Sequence, residues 1–355
     1  MEPAPHVSRF LAIVVLTLVA GCRRHPVAYK SVAVREGHAL YLRYCALCHG
    51  KRAEGYAADH ANALGNADFL AITTDEQLRC AITDGRPGTP MSAWGAPNHG
   101  PLDQKQVDRI VAYLRSLARK PFFRVELAPH GGDVARGAVA FQRSCAFCHG
   151  ARAEGSTRAT SLSHPNFQAS VTDGYLRYVI VHGRRGTQMG AFGTLPPQTV
   201  DDLIAFIRST ATQPDLPAPL AYEPPPGLAQ LVINPKGVPP RFSLRDGRFV
   251  PSADVAKALE QKRKIVILDA RPTSDWNRIH ITGALPFPFY NVDELAKTLP
   301  SDGTFIVAYC ACPHAASGHV VDELRKRGFA NTAVLDEGIN FWVSKSYPTA
   351  QGTPR

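Results

Sequence analysis

Methionine is almost missing from this chain. It occurs three times in 355 residues, once as the initiator, so only Met91 and Met189 lie inside the sequence. Acidic residues are outnumbered, with 30 Asp and Glu against 40 Lys and Arg for a formal net charge of +10. The excess is spread out, and its densest clusters, Lys262-Arg263-Lys264 and Arg325-Lys326-Arg327, fall in short amphipathic stretches that read as solvated helix faces. No aromatic-interleaved basic stripe and no nucleic-acid motif accompany them, so nucleic acid is not an expected partner. A basic surface suits an anionic membrane or an acidic redox partner through long-range steering, and it equally aids solubility. The apolar run Phe10 to Ala20 falls well short of the roughly 18 residues that cross a bilayer. A disulfide framework is absent too. Of eight cysteines, four form two Cys-x-x-Cys-His runs, Cys310 and Cys312 form a close pair, and Cys22 and Cys80 stand alone. The length fits two or three domains, and the ordinary apolar and charged fractions argue against disorder.

What is present is a repeat. Gly37-His-Ala-Leu-Tyr leads to Cys45-Ala-Leu-Cys48-His49-Gly50, and Gly137-Ala-Val-Ala-Phe leads to Cys145-Ala-Phe-Cys148-His149-Gly150. Both runs continue as Arg-Ala-Glu-Gly, to Gly55 and Gly155. Later, Gly85-Arg86-Pro-Gly-Thr-Pro-Met91 answers Gly183-Arg184-Arg-Gly-Thr-Gln-Met189. Each copy closes on an amphipathic helix, with Val107, Ile110, Val111 and Leu114 on one face in the first and Val200, Leu203, Ile204 and Ile207 in the second. Units of roughly 80–90 residues with loop-rich middles are small for a self-sufficient core, so something else is expected to fill them.

Cys-x-x-Cys-His is the attachment motif of c-type haem. Cysteines three apart lie on neighbouring faces of a helical turn, where each can form a thioether, and the next histidine can reach the iron. Zinc would require further Cys or His ligands at regular spacing, and neither copy carries a second cysteine pair. A redox Cys-x-x-Cys would leave His49 and His149 unexplained. The expectation is therefore two covalently bound c-type haems, with Cys45, Cys48, Cys145 and Cys148 as thioether residues and His49 and His149 as axial ligands. Met91 and Met189 occupy matching places and are expected opposite the histidines. His/Met ligation raises the reduction potential and closes both axial positions, which suits electron transfer. His60, His99 and His164 do not match between copies and read as loop or surface residues; Arg86 and Arg184 beside the methionines read as simple loop arginines, with a place near the haem propionates as the alternative.

On these motifs, residues 36–120 and 131–212 resemble class I cytochrome c domains. The resemblance implies an all-α fold in which a glycine of the first helix meets an aromatic of the last, here Gly37 with Tyr113 and Gly137 with Phe206. At the N-terminus, a short apolar core followed by Val19-Ala20-Gly21-Cys22 resembles a bacterial lipoprotein signal. That resemblance implies a signal peptide over residues 1–21, lipid on Cys22, a tether over residues 22–35, and anchoring on the periplasmic side of an inner or outer membrane. Lipid chains of this kind anchor firmly, at roughly 0.8 kcal/mol per buried methylene.

Residues 213–245 are dense in proline and read as a semi-rigid linker. The pattern then changes. Ile265–Leu268 and Phe305–Ala308 read as buried strands, Ser252–Gln261 and Gly318–Arg327 as helices, and Ala333–Leu335 as a further strand, which together describe an α/β sheet. Residues 246–350 resemble a rhodanese domain with a parallel sheet. The likeness rests on Asp269-x-Arg271, His280-Ile-Thr-Gly283-Ala284 and the strand–Cys310–loop–helix. It implies that Cys310 is a nucleophile able to carry sulfane sulfur, with Asp269 and Arg271 as further site residues. Cys312 would serve as a resolving thiol or sulfur acceptor, or as part of a metal site with His314. Active members commonly place an arginine beside the cysteine or near the loop's end, whereas this loop offers Ala311 and His314. Three functional readings follow: an electron carrier between redox proteins, a sulfur enzyme feeding its own haems, and a carrier whose last domain only docks.

Overall fold

The computed structural model describes residues 31–55, 58, 61–86, 89–123, 131–156, 158–184, 187–211, 222–223, 231–311 and 314–352. Cys22 with its preceding signal, His60 and Cys312 lie outside them.

The first unit is helical: α1 (Val32–Tyr44), α2 (Ala46–His49), α3 (Ala67–Ile72), α4 (Asp75–Thr83) and α5 (Gln104–Ser116). The second repeats it as α6 (Val134–Ser144), α7 (Ala146–His149), α8 (Pro165–Ser170), α9 (Asp173–His182) and α10 (Pro197–Ser209). Local chemistry explains the starts. Thr74 and Gln77 form a capping box on α4, Asp103 and Gln106 form another on α5, and Thr172 caps α9. The first and last helices of each unit cross at a glycine. A Cβ on Gly37 would lie 1.8 Å from the Arg109 carbonyl oxygen, and one on Gly137 would lie 1.9 Å from that of Asp202. Backbone touches backbone at these crossings, and the neighbouring aromatics, Tyr41 with Tyr113 and Phe141 with Phe206, pack at 5.0 Å in both units.

A second repeated device was not legible as a motif. Arg115, late in α5, donates to Asp75 Oδ1 at 2.5 Å, to the Leu70 carbonyl at 2.6 Å and to the Thr73 carbonyl. Arg208, late in α10, donates to Asp173 Oδ1 and to the carbonyls of Gln168 and Val171, each at 2.7 Å. Each guanidinium thus ties the last helix to the end of one short helix and the start of the next, satisfying carbonyls left over at helix C-termini.

The third unit is α/β. A five-stranded, all-parallel sheet has the order β2 (Phe249–Val250), β7 (Thr332–Leu335), β6 (Phe305–Tyr309), β3 (Ile265–Asp269), β5 (Leu285–Pro286). Ile267 lies opposite Val307, and Val307 opposite Ala333, in the central register. All five residues of β3 are buried, as expected of a continuous apolar strand covered on both faces. The covering helices are α11 (Ser252–Glu260), α12 (Thr273–Arg278), α13 (Val292–Leu295), α14 (Ala315–Lys326) and α15 (Gly338–Ser344). A small side sheet joins β1 (Tyr222–Glu223) to β8 (Thr349–Gly352) and β8 to β4 (His280–Ile281). Part of the proline-rich stretch belongs to this unit: Ile233 pairs with Ile265 through an N–H···O bond of 2.8 Å, and Leu231 and Val232 pack on apolar core.

The third unit sits on the first. Ser92 Oγ donates to Asp275 Oδ2 at 2.6 Å, and Ser274 Oγ donates to the Ala93 carbonyl at 2.5 Å. Tyr44 and Trp94 stack edgewise or tilted on Tyr290 at 4.9 and 5.8 Å, and Trp94 meets Phe289 at 6.2 Å. One apolar cluster runs from Tyr41 and Leu114 through this seam to Leu268, Cys310 and Val320. Aromatic pairs add roughly 0.5–1.5 kcal/mol each beyond the area they bury, so the seam is a packed interface. Units one and two also meet, α4 lying along α8 and Phe123 against Tyr178 at 6.0 Å. Among the described residues no helix is long and apolar enough to cross a membrane.

Gly37→Ala forces a methyl group into the Arg109 carbonyl. It is expected to destabilise the first unit by about 1–3 kcal/mol, read as a lower denaturant midpoint. Gly131→Ala, with nothing within 4 Å of its Cβ, should leave that midpoint in place.

Candidate functional site

Each Cys-x-x-Cys-His run follows the first helix of its unit through a one-residue break at Cys45 or Cys145, and the short helix that follows presents the rest. The turn beyond is built identically twice. Ala53 and Ala153, both fully buried, adopt φ of 60° and 62°, and the Ala53 and Ala153 N–H groups donate to the carbonyls of Gly50 and Gly150. Glu54 and Glu154 accept from the Arg52 and Arg152 N–H groups at 2.7 Å. The Arg-Ala-Glu-Gly repeat is thus a turn that swings the chain back under the histidine.

That return places a carbonyl against each imidazole. His49 Nδ1 lies 2.8 Å from the Asn62 oxygen and His149 Nδ1 lies 2.9 Å from the Thr160 oxygen. A carbonyl only accepts, so Nδ1 carries the proton and the Nε2 lone pair is left for a ligand, the usual way a metal-binding histidine is held. Burial, helped by the charges of Arg86 and Arg184, lowers the pKa of both histidines and keeps them neutral at physiological pH. Burial also pushes the Cys45 thiol up to about 12 and the Cys145 thiol up to about 11. Redox-active Cys-x-x-Cys pairs run the other way, toward stable thiolates.

The methionine loops match in detail. The Arg86 N–H donates to the Met91 carbonyl at 2.9 Å and that of Arg184 to the Met189 carbonyl at 3.0 Å. Thr89 and Thr187 hydroxyls close both loops on the Arg86 and Arg184 carbonyls and accept from the Met91 and Met189 N–H groups. A neutral, oriented imidazole, two thiols three apart and a thioether-bearing loop in each unit fit a covalently held c-type haem. Among the described residues, no group of three or more His, Cys, Asp and Glu converges as an alternative metal cage.

Arg86 and Arg184 are not simple loop arginines. Arg184 lies over the Phe69 ring of the first unit at 4.8 Å and lines a crevice of about 300 Å³ between the units, with Ile72, Tyr175 and Tyr178. Arg86 lines the companion crevice beside Thr160, His164 and half-buried Cys80. Burial and the like charge of Arg184 bring Arg86 down to about 10, still cationic at neutral pH. Two cations therefore face the seam between the helical units, a feature their separate sequence positions could not disclose.

In the third unit Cys310 follows β6 and is buried, with Sγ 3.2 Å from the Ser317 hydroxyl on the first turn of α14. Its carbonyl accepts from the Ile339 N–H, and Asn340 donates to the Ala311 carbonyl, so α15 braces the loop from behind. His314 begins the helix in a left-handed conformation, φ 81°, with Nε2 against the Asp336 carbonyl and its ring 4.4 Å from that of Phe249. Asp269 and Arg271 face each other. Asp269 accepts from the Arg271 N–H, Nε and Nη2 and from the Tyr309 hydroxyl, and Arg271 Nη2 donates to the Ile279 carbonyl. Burial alone would lower the Arg271 pKa, but the Asp269 charge and hydrogen bonds raise it above its ordinary value. This closed, buried pair holds the strand ends below Cys310. His280, stacked on Trp276 at 3.9 Å with Nδ1 donating to its carbonyl at 2.8 Å, is similarly absorbed in the core. Ser317, inside the loop's sequence but with no spacing signal of its own, emerges as a hydroxyl 3.2 Å from the thiol.

Comparison with known proteins agrees with this division. The family described as cytochrome c oxidase, cbb3-type, subunit III matches residues 32–114 and 132–207, and the rhodanese-like domain family matches residues 252–345. The cbb3-type cytochrome c oxidase subunit CcoP of Azospirillum sp. (strain B510) is 27% identical over 194 residues, covering 50% of this chain and 62% of that protein. Subunit FixP of Bradyrhizobium sp. (strain ORS 278) is 29% identical over 188 residues, covering 50% of this chain and 61% of that protein. The probable adenylyltransferase/sulfurtransferase MoeZ of Mycobacterium tuberculosis is 28% identical over 104 residues, covering 29% of this chain and 26% of that protein. The chain thus spans about three-fifths of the oxidase subunits and a quarter of the sulfurtransferase. The N-terminal half of the chain is accordingly built of cytochrome c domains of the cbb3 type, which imply electron transfer through c-type haem, and the C-terminal part is a rhodanese-like domain homologous to sulfurtransferases.

Proposed function

We propose that the chain is a di-haem electron carrier, lipid-anchored through Cys22 on the periplasmic side of a bacterial membrane, whose last domain handles sulfane sulfur at Cys310. The observation that carries the first part is the duplicated geometry at His49 and His149: each Nδ1 donates to a carbonyl and each Nε2 stays available, with a matched methionine loop in the same unit. Cys45 with Cys48 and Cys145 with Cys148 would hold the haems, and Met91 and Met189 would complete their axial positions. Bound haem supplies one-electron chemistry at a potential raised by His/Met ligation. The protein's own share is to orient the imidazoles, exclude water and set charge, the last through Arg86 and Arg184.

For Cys310, the support is the thiol at the foot of α14, whose first-turn Ser317 hydroxyl is placed to donate to a thiolate or persulfide. Helix N-terminal N–H groups add to that stabilisation. Asp269 and Arg271 would act by holding the loop's base, and Cys312 would be a second sulfur acceptor. A second reading, that sulfur oxidised at Cys310 reduces the chain's own haems, is favoured by the contact of α14 with α2, the helix carrying Cys48 and His49.

Matured full-length protein should show two c-type haems per chain in a reduced-minus-oxidised spectrum with haem counting. The double variant Cys145→Ser/Cys148→Ser should show one, and a colourless wild-type product would overturn the reading. Cys310→Ser should lower thiosulfate:cyanide sulfur transfer by at least about a thousandfold with the haem spectrum intact. Unchanged transfer would remove Cys310 from the chemistry, and unchanged haem reduction by thiosulfate would exclude the second reading.

A further inference from the structure

Cys310 and the first helical unit meet at one edge of the parallel sheet. β3, β5 and β6 end level, with Asp269 opposite both Pro286 and Tyr309. The residues that follow are laced together: the Ala270 N–H donates to the Tyr309 carbonyl at 2.9 Å, and the Phe289 N–H to the Ala270 carbonyl at 3.0 Å. Cys310, Ala270 and Phe289 thus belong to three neighbouring loops at the C-terminal ends of the strands, where open α/β sheets bind their ligands. Two of those loops carry the first unit. Beyond Ala270, Ser274 and Asp275 bond to Ala93 and Ser92, and in the third loop Phe289 and Tyr290 pack against Trp94 and Tyr44. α14, which opens directly after the Cys310 loop, touches α2 of the first unit, and its His319 meets Phe289 edgewise at 6.4 Å. On the other flank, α15 holds the loop through the Ile339 N–H and the Asn340 amide. Between these two flanks Cys310 is only 2% exposed.

We propose that the first unit is one wall of the Cys310 site, and that this wall restricts the site to small sulfane-sulfur anions of thiosulfate size by excluding persulfides carried on proteins. This rests on the sulfur-handling reading of Cys310 above. A protein donor must lay its own surface over the C-terminal edge of the sheet to bring a persulfide to a buried thiol. Tyr44, Ser92, Ala93 and Trp94 already occupy that ground. A built-in clash of this kind selects between donors by size. An anion of a few atoms needs no such surface, and the Ser317 hydroxyl with the first N–H groups of α14 offers it donors. In the transfer, the Cys310 thiolate attacks the outer sulfur of thiosulfate. The Sγ–S bond forms, the S–S bond of thiosulfate breaks, and sulfite leaves with the bonding pair. Sulfur moves with no net electron transfer, so the wall acts through the first unit's side chains alone.

The test uses the full-length protein and two donors, thiosulfate and serum albumin persulfidated on its free cysteine. Loading is read as the mass gain of the Cys310 peptide over time. Ser92→Asp sets a carboxylate against Asp275, and Tyr290→Arg sets a cation against Arg43, whose Nη2 lies 3.5 Å from the Tyr290 carbonyl. Each should open the seam, read as faster hydrogen exchange over residues 287–291. In both variants loading from the albumin persulfide should rise at least about tenfold, while loading from thiosulfate stays within about twofold of wild type. Ser92→Asp combined with Asp275→Ser re-forms the hydrogen bond with donor and acceptor exchanged, and should return albumin loading to the wild-type rate. Faster exchange without the gain, or an equal gain for thiosulfate, would overturn the proposal. So would wild type that loads from the albumin persulfide as fast as the opened variants. A Cys310 that loads from neither donor, in wild type and opened variants alike, would reject the sulfur-handling reading instead.

Discussion

The functional half of this chain depends on one hydrogen bond made twice, from a histidine Nδ1–H to a carbonyl on the returning chain. It selects the tautomer, turns the ring and leaves Nε2 as the one available lone pair. Several repeated features exist to make it. The break at Cys45 or Cys145 starts a new helix, the buried alanine at positive φ turns the chain, and the glycine crossing locks the outer helices that carry the whole. Without the return, the imidazole would lie against apolar core with an unpaired donor, a costly arrangement.

Burial and charge act on the two ends of the protein differently. In the cytochrome units, Arg86 and Arg184 form no ion pair with a carboxylate among the described residues and face the inter-unit seam. In the third unit, Arg271 is consumed by Asp269, and the surroundings of Cys310 rely on a hydroxyl and backbone dipoles. The same residue type thus works as a field source in one place and as a strut in the other, and the presence of a carboxylate within hydrogen-bonding reach decides which.

The two copies differ in what covers them. Duplication yields two equivalent faces, and the third domain packs on that of the first unit while Ser144 and Phe147 of the second are exposed. Trp94 and Tyr44 supply the aromatic surface that the third domain grips, whereas Phe192 and Ser144 in the second unit do not offer it.

Local rules were enough to read much of this protein from its residues. The Cys-x-x-Cys-His runs, the paired methionines, the closing amphipathic helices, the buried strands and the Cys310 loop depend on spacing within a helical turn, a loop or a strand. Those spacings survive in sequence because the chemistry is short-range. Tertiary structure alone decided what depends on distant segments meeting: the carbonyls of Asn62 and Thr160 behind the histidines, the clamps of Arg115 and Arg208, and the pairing of Asp269 with Arg271. It also placed Ser317 beside Cys310, faced Arg86 toward Arg184, and covered one repeat's face with a domain about 200 residues further along the chain. Side chains far apart in sequence carry no mutual periodicity, so only the fold, by bringing their elements together, could set their partners.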